Sequence, residues 1–117
     1  AGRRQHIVFP HYGLRQAGKD ERLMRFLDLL AQAIIRLEPL KVQIEVHSDF
    51  EGDDAMNLTN TEKAAAYAKD MLAGKGIDEK IISFRGMGET KPLFGENTGR
   101  ARRKNDRIEV VLDFSGE

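Results

Sequence analysis

Lys41-Val42-Gln43-Ile44-Glu45-Val46-His47-Ser48-Asp49 is the stretch on which the fold turns. Val42, Ile44 and Val46 alternate with Lys41, Gln43 and Glu45, the period of two expected of a strand with one buried face. The alternation stops at Ser48, and Asp49, Glu51, Asp53 and Asp54 follow, so a polar loop is expected from Ser48 to about Thr59. Thr61 is the predicted N-cap of the next helix, with Glu62 in its first turn. Within that helix Ala65, Ala68, Met71 and Leu72 recur at helical spacing, small enough to let it lie close against a sheet. Gly74 and Gly76 supply its stop.

The remaining elements are read outward from this unit. Ile7-Val8-Phe9 is a short apolar run halted by Pro10, the mark of an edge strand. His11 to Gly18 reads as a loop. From about Lys19, the residues Leu23, Phe26, Leu27, Leu30, Ile34 and Leu37 keep helical spacing until Pro39, giving an amphipathic helix with one buried stripe. Beyond the second helix, Ile77 to Lys80 is a turn and Ile81-Ile82-Ser83-Phe84 a short strand. The glycines from Gly86 to Gly99, with Pro92, predict irregular chain. The last strand sets Ile108, Val110, Leu112 and Phe114 on one face and Arg107, Glu109 and Asp113 on the other. The expected fold is an α/β (α+β) two-layer sandwich: a four-stranded mixed sheet, two main helices packed on one face, order β-α-β-α-β-β, the other face open to water.

Composition narrows the function. The chain has 117 residues, 19 Lys+Arg and 19 Asp+Glu, which suits one domain of net charge zero and argues against a phosphate-neutralising role. Six Phe and a 40% hydrophobic content are too rich for disorder. With no Cys, disulfides, thiolate nucleophiles and Cys-ligated metals are all excluded. No apolar run reaches the roughly 20 residues of a membrane span. Ala1-Gly2-Arg3-Arg4 is followed by no hydrophobic region, so no signal peptide is expected within the segment. The expectation is one domain, residues 1–117, either a cytosolic protein or a piece cut from a longer one whose targeting segment is missing.

Chemical motifs are sparse. His6, His11 and His47 lack the spacing of a metal pair and read as single polar residues near strand ends. Counted as a calcium loop from Asp49, the sequence puts Asp54 where Gly is needed and Asn60 where the bidentate Glu is needed. No phosphate-cradling loop is present, and Arg100-Ala101-Arg102-Arg103-Lys104 has no interleaved aromatics for nucleic acid. No Ser, His and acid stand in a way that specifies a nucleophile, so neither an enzyme nor a cofactor is expected. The zero net charge hides segregation: four acids and no base lie between Asp49 and Asp54, and five bases and one acid between Arg100 and Arg107.

Read in order, the segments resemble one family, the OmpA-like domain of bacterial outer-membrane proteins, lipoproteins and flagellar stators. The family's Gly-His-Thr-Asp motif, followed by a Gly and an Asn, stands here as Val46-His47-Ser48-Asp49 with Gly52 and Asn57. Its Leu-Ser-x-x-Arg-Ala helix entry is matched by Asn60-Thr61-Glu62-Lys63-Ala64-Ala65. The segment from Gly74 to Gly88 follows its turn, third strand and Gly-x-Gly. Ala101 to Val110 is similar to its closing Gly-Arg-x-x-Asn-Arg-Arg-Val-Glu-Ile. The resemblance runs from about Ile7 to Phe114.

The resemblance implies a non-catalytic periplasmic domain, cut from a longer envelope protein and attached to the outer or inner membrane through an upstream segment, that holds the diaminopimelate of the peptidoglycan stem peptide. Such a ligand end presents an ammonium beside a carboxylate. A carboxylate must meet the first, and an Arg fork or helix amides the second. By motif position Asp49 is the acid, with Ser48 and Asn57 in the same motif, and Lys63, Arg107 or the helix amides are the candidates to receive the carboxylate. The family's helix Arg falls on Ala64, which weakens the expected affinity; Val46, Asn60 and Asp106 are further departures. The alternative is a degenerate domain that no longer binds the wall and serves as a structural or protein-interaction module among other envelope proteins.

Overall fold

Strands β2 (Lys41–His47) and β4 (Arg107–Asp113) lie side by side at the centre of the sheet, flanked by β1 (Arg4–Pro10) and β3 (Ile82–Gly88), in the order β1-β4-β2-β3. The computed structural model describes residues 3–10, 21–48, 53–88 and 106–115. β4 is antiparallel to both its neighbours, whereas β2 and β3 are parallel. A parallel pair needs a crossover, and helix α2 (Asp54–Gly74) provides it. Helix α1 (Glu21–Leu37) joins β1 to β2. The mixed sheet, the two helices and the edge position of β1 are as the sequence predicts.

One apolar cluster holds the two layers together. α1 contributes Leu23, Leu27, Leu30, Ala31 and Ile34, and α2 contributes Ala64, Ala65, Ala68 and Leu72. Both helices pack on Val42, Ile44 and Val46 of β2 and Ile108, Val110 and Leu112 of β4. Truncating one such Leu to Ala costs about 2–5 kcal/mol in comparable cores. Phe9 stacks on Phe26, with ring centroids 4.7 Å apart, and fixes the edge strand to α1. An ion pair between Asp28 and Lys75 joins the two helices at the surface.

The helix ends follow local chemistry. α1 stops where Glu38 turns to φ 54° and Pro39 follows, so no further helical bond can form. At the end of α2, Gly76 takes φ 101°, and the Gly76 and Ile77 amides donate to the Ala73 and Leu72 carbonyls. The start of α2 departs from the sequence reading. Asp53, not Thr61, is the N-cap, its carboxylate accepting the Met56 amide at 3.1 Å. Residues 54–60 therefore belong to the helix rather than to a loop. They are mostly exposed, so no apolar stripe marks them.

Two further readings are corrected. β3 does not end at Phe84 but runs to Gly88, because Gly86 and Gly88 pair with Val46 and His47. The outer sheet face is open at Lys41 and Gln43, yet Arg107, Asp113 and His47 on that face are buried. β4 is a central strand, so residues on both sides shield its side chains; Asp113 is bracketed by its register partners Arg4 and Lys41. The expected loop at His11 to Gly18, residues 49–52, the glycine-rich chain beyond Gly88 and the basic stretch Arg100 to Lys104 lie outside the described residues.

Candidate functional site

β2 delivers His47 and Ser48 to one end of the sheet, where three other elements arrive. β4 begins there, with Arg107 opposite His47. β3 finishes there: a bulge between Val46 and His47 brings Gly88 opposite His47, and the Ser48 amide donates to the Gly88 carbonyl at 2.7 Å. α2 sets out there. Thr61, wholly buried, donates its hydroxyl to the Leu58 carbonyl at 2.8 Å and accepts the Gly88 amide at 2.9 Å.

Glycine makes this approach feasible. A Cβ built on Gly86 would lie 2.1 Å from the Glu62 amide nitrogen, and one on Gly88 3.2 Å from the Leu58 Cα. These neighbours are backbone atoms, which no rotamer change can move aside. Gly88 also has φ 55°, a conformation that costs other residues energy. The helix thus rests on bare strand backbone, and its first turns are held beside the Ser48 end.

On the outer face below Ser48 lies a layer of linked charges. Arg107 is 3% exposed, and its Nε donates to Glu109 Oε2 at 2.5 Å. The other Glu109 oxygen meets His6 Nε2 at 2.7 Å. His47 Nε2 lies 3.3 Å from Glu45 Oε1 and 3.7 Å from Glu109 Oε2. Burial pushes the His47 pKa below its ordinary value, and the Arg107 charge lowers it further, against opposing pulls from Glu109 and Glu45. For Glu109, burial acts upward but is outweighed by the Arg107 hydrogen bond and charge, with help from His6 and His47, so the carboxyl is held low. His47 Nδ1 and Ser48 Oγ are buried and have no hydrogen-bond partner among the described residues. An unmet buried polar atom costs about 1–3 kcal/mol, so two adjacent ones mark the place where a further partner would be most rewarded.

The sequence-predicted residues are placed as follows. Ser48 and Arg107 come together at this end of the sheet, both buried. Asn57 is half-buried near the start of α2, its amide donating to the Asp53 carbonyl at 2.9 Å. Lys63 is exposed on α2; two residues along a helix is a rotation of about 200°, so it points away from Thr61 and β3. Asp49 lies outside the described residues. Ala64, where the family Arg would fall, is part of the core at 3% exposure. The sequence reading missed His47, Glu45 and Glu109 as one network. Their only signal was a shared outward parity on β2 and β4, and pairing of those strands is what turns parity into contact. Among the described residues no helix is long and apolar enough to cross a membrane.

Comparison with known proteins agrees with this architecture. The OmpA family profile matches residues 19–106. The chain is 28% identical over 86 residues to the outer-membrane lipoprotein YfiB of Pseudomonas aeruginosa, covering 74% of this chain and 51% of that protein. It is 30% identical over 88 residues to outer membrane protein A of Bordetella avium, covering 75% and 45%. The chain thus spans about half the length of these relatives. Among solved structures, the cell wall anchor of the type VI secretion system from Pseudomonas aeruginosa superposes with TM-score 0.82 at 18% identity, covering 96% of this chain and 82% of that one. The peptidoglycan-associated lipoprotein from Burkholderia pseudomallei gives TM-score 0.75 at 18% identity, covering 87% and 86%. With its sheet order, its helix seated on the Gly86–Gly88 backbone and a family match over most of its length, this chain belongs to the OmpA family.

Proposed function

We propose that the domain is a non-catalytic peptidoglycan-binding module that tethers its parent protein to the cell wall in the periplasm. Its ligand is the stem peptide, held by the diaminopimelate end. Asp49 meets the ammonium. Ser48 and Asn57 add polar contacts, and the carboxylate goes to the N-terminal amides of α2, with Lys63 along the helix and Arg107 beneath contributing charge.

The observation that carries this reading is the pair of buried atoms unmet among the described residues, Ser48 Oγ and His47 Nδ1, at the strand end leading directly into Asp49. Names among the relatives point the same way, since one is a cell wall anchor and another a peptidoglycan-associated lipoprotein. A second reading, a domain that has kept the fold and lost the wall pocket, is favoured by Ala64 lying in the core, with no cation at that position. Titration with a diaminopimelate-containing muropeptide and with purified sacculi separates the two. Saturable binding abolished by Asp49→Ala supports the first. No binding up to millimolar ligand leaves the second.

A further inference from the structure

At the end of the sheet opposite Ser48, between β1 and α1, a groove of about 550 Å³ opens to the surface. That is within the roughly 300–1,000 Å³ typical of small-molecule sites. Ile7 of β1, Ala33 and Leu37 of α1, and Leu112 and Phe114 at the end of β4 form its apolar walls. α1 buries Leu30 and Ile34 in the core, which leaves Ala33 and Leu37 turned toward β1, and the small Ala33 leaves room. Leu37 is 51% exposed, a large apolar surface left in water.

Two features of the lining choose the occupant. Among the described residues, the lining side chains able to hydrogen-bond are Arg3 and Gln5. A peptide segment in the groove would bring an amide N–H and a carbonyl at every residue, more than these two side chains can pair, and would have to add to the open edge of β1 instead; a hydrocarbon chain brings none. Among the described lining residues the one charged side chain, Arg3, is positive. The neighbouring carboxylate of Asp113 is already engaged by the Ser115 hydroxyl and amide and by Arg4. We propose that the groove binds a fatty acyl chain ending in a carboxylate, the chain against Ile7, Leu37 and Phe114 and the carboxylate on the Arg3 guanidinium. This site is separate from the wall-facing end and does not depend on the peptidoglycan reading.

The test is an NMR titration of the domain with dodecanoate below its micelle concentration, run beside dodecyltrimethylammonium, which has the same chain and the opposite charge. Dodecanoate is expected to saturate, with amide shifts confined to Ile7, Ala33, Leu37, Leu112, Phe114 and their neighbours. The ammonium analogue should bind about tenfold more weakly or worse, as should dodecanoate to Arg3→Gln, since a charge-assisted contact is lost in both. Leu37→Glu, at a half-exposed position that leaves the fold intact, should abolish binding. Equal affinity for the two amphiphiles, shifts spread over the exposed Met56 and Leu58, or undiminished binding by Leu37→Glu would each overturn the proposal. So would a groove that takes an extended apolar peptide and ignores dodecanoate.

Discussion

Thr61 Oγ1 accepts the Gly88 amide at 2.9 Å, and this one bond ties the middle of α2 to the last residue of β3. Both groups are buried, so the amide has no water to turn to if the hydroxyl is removed. Thr61→Val, which keeps the shape, should cost about 1–3 kcal/mol, the penalty for a buried unpaired donor. Thr61→Ser keeps the hydroxyl and should cost less, about one methyl group or ~1 kcal/mol. Urea unfolding of the two variants decides it; a Ser variant as unstable as the Val variant would show that the bond contributes little.

Gly86→Ala should be among the most damaging single substitutions. Its Cβ would overlap helix backbone at Glu62, so relief requires lifting α2 from β3, at a cost of several kcal/mol or failure to fold. Gly74→Ala is the contrasting control. Among the described residues nothing lies within 4 Å of the added atom, and the change should be neutral or stabilise the helix by about 0.5–1 kcal/mol. Thermal melts of both proteins provide the comparison.

Acidification should weaken the fold in two stages. His47 has a folded-state pKa below its ordinary 6.5, so the folded protein resists the proton that the unfolded chain accepts. Its contribution to stability is fully present above 6.5 and is lost as pH falls from there toward the lowered value. Glu109 and Asp113 also have lowered values, but their contributions are present above their ordinary 4.5 and 3.8 and are lost below those points. Urea midpoints measured from pH 8 to pH 3 should therefore show an upper step that His47→Gln removes and a lower one that it leaves. A single step near pH 4 in the wild type would refute the assignment to His47.

Lys63 and Asp49 should differ sharply in their effect on the wall ligand. Lys63 is exposed and turned away from the β3 side of α2, so Lys63→Ala should lower muropeptide affinity only about two- to fivefold, the scale of a solvated charge. Asp49→Ala should remove detectable binding. Calorimetric titration of the two variants checks the ranking, and a larger loss for Lys63→Ala would place the ligand on the other side of the helix.

Removing the cap of α2 tests where the helix begins. Asp53→Ala should destabilise by about 1 kcal/mol, whereas an N-terminus at Thr61 would make Asp53 a neutral loop position. Chemical denaturation, with amide exchange at Met56 as a local reporter, distinguishes the two.

The elements legible in the sequence were those whose burial is periodic. Val42-Ile44-Val46 and Ile108-Val110-Leu112 announce strands because half of each meets the helices. Leu23 to Ile34 announces a helix for the same reason. The opening turns of α2 gave no such signal, since residues from Asp54 to Asn60 are largely in water and Asp53 caps them with a side chain equally at home in a loop. Gly86 and Gly88 read as breakers, because the need for bare backbone arises only from a helix more than twenty residues earlier. Ser48 and Arg107 were found through motif order, but their burial depends on strand pairing that a linear reading does not contain.

The register of the sheet also decides how the domain carries load. Arg4 sits beside Asp113 at one end of the β1–β4 ladder, while His47 and Arg107 mark the other end. A pull entering through β1 at Arg4 and resisted at Ser48 runs parallel to the strands. The hydrogen bonds between them lie across that direction, so β1–β4 and β4–β2 are sheared together and many bonds must yield at once. Applied instead across β3, the same force would peel one bond at a time. A domain with this topology resists force best along the axis joining its first strand to its Ser48 end.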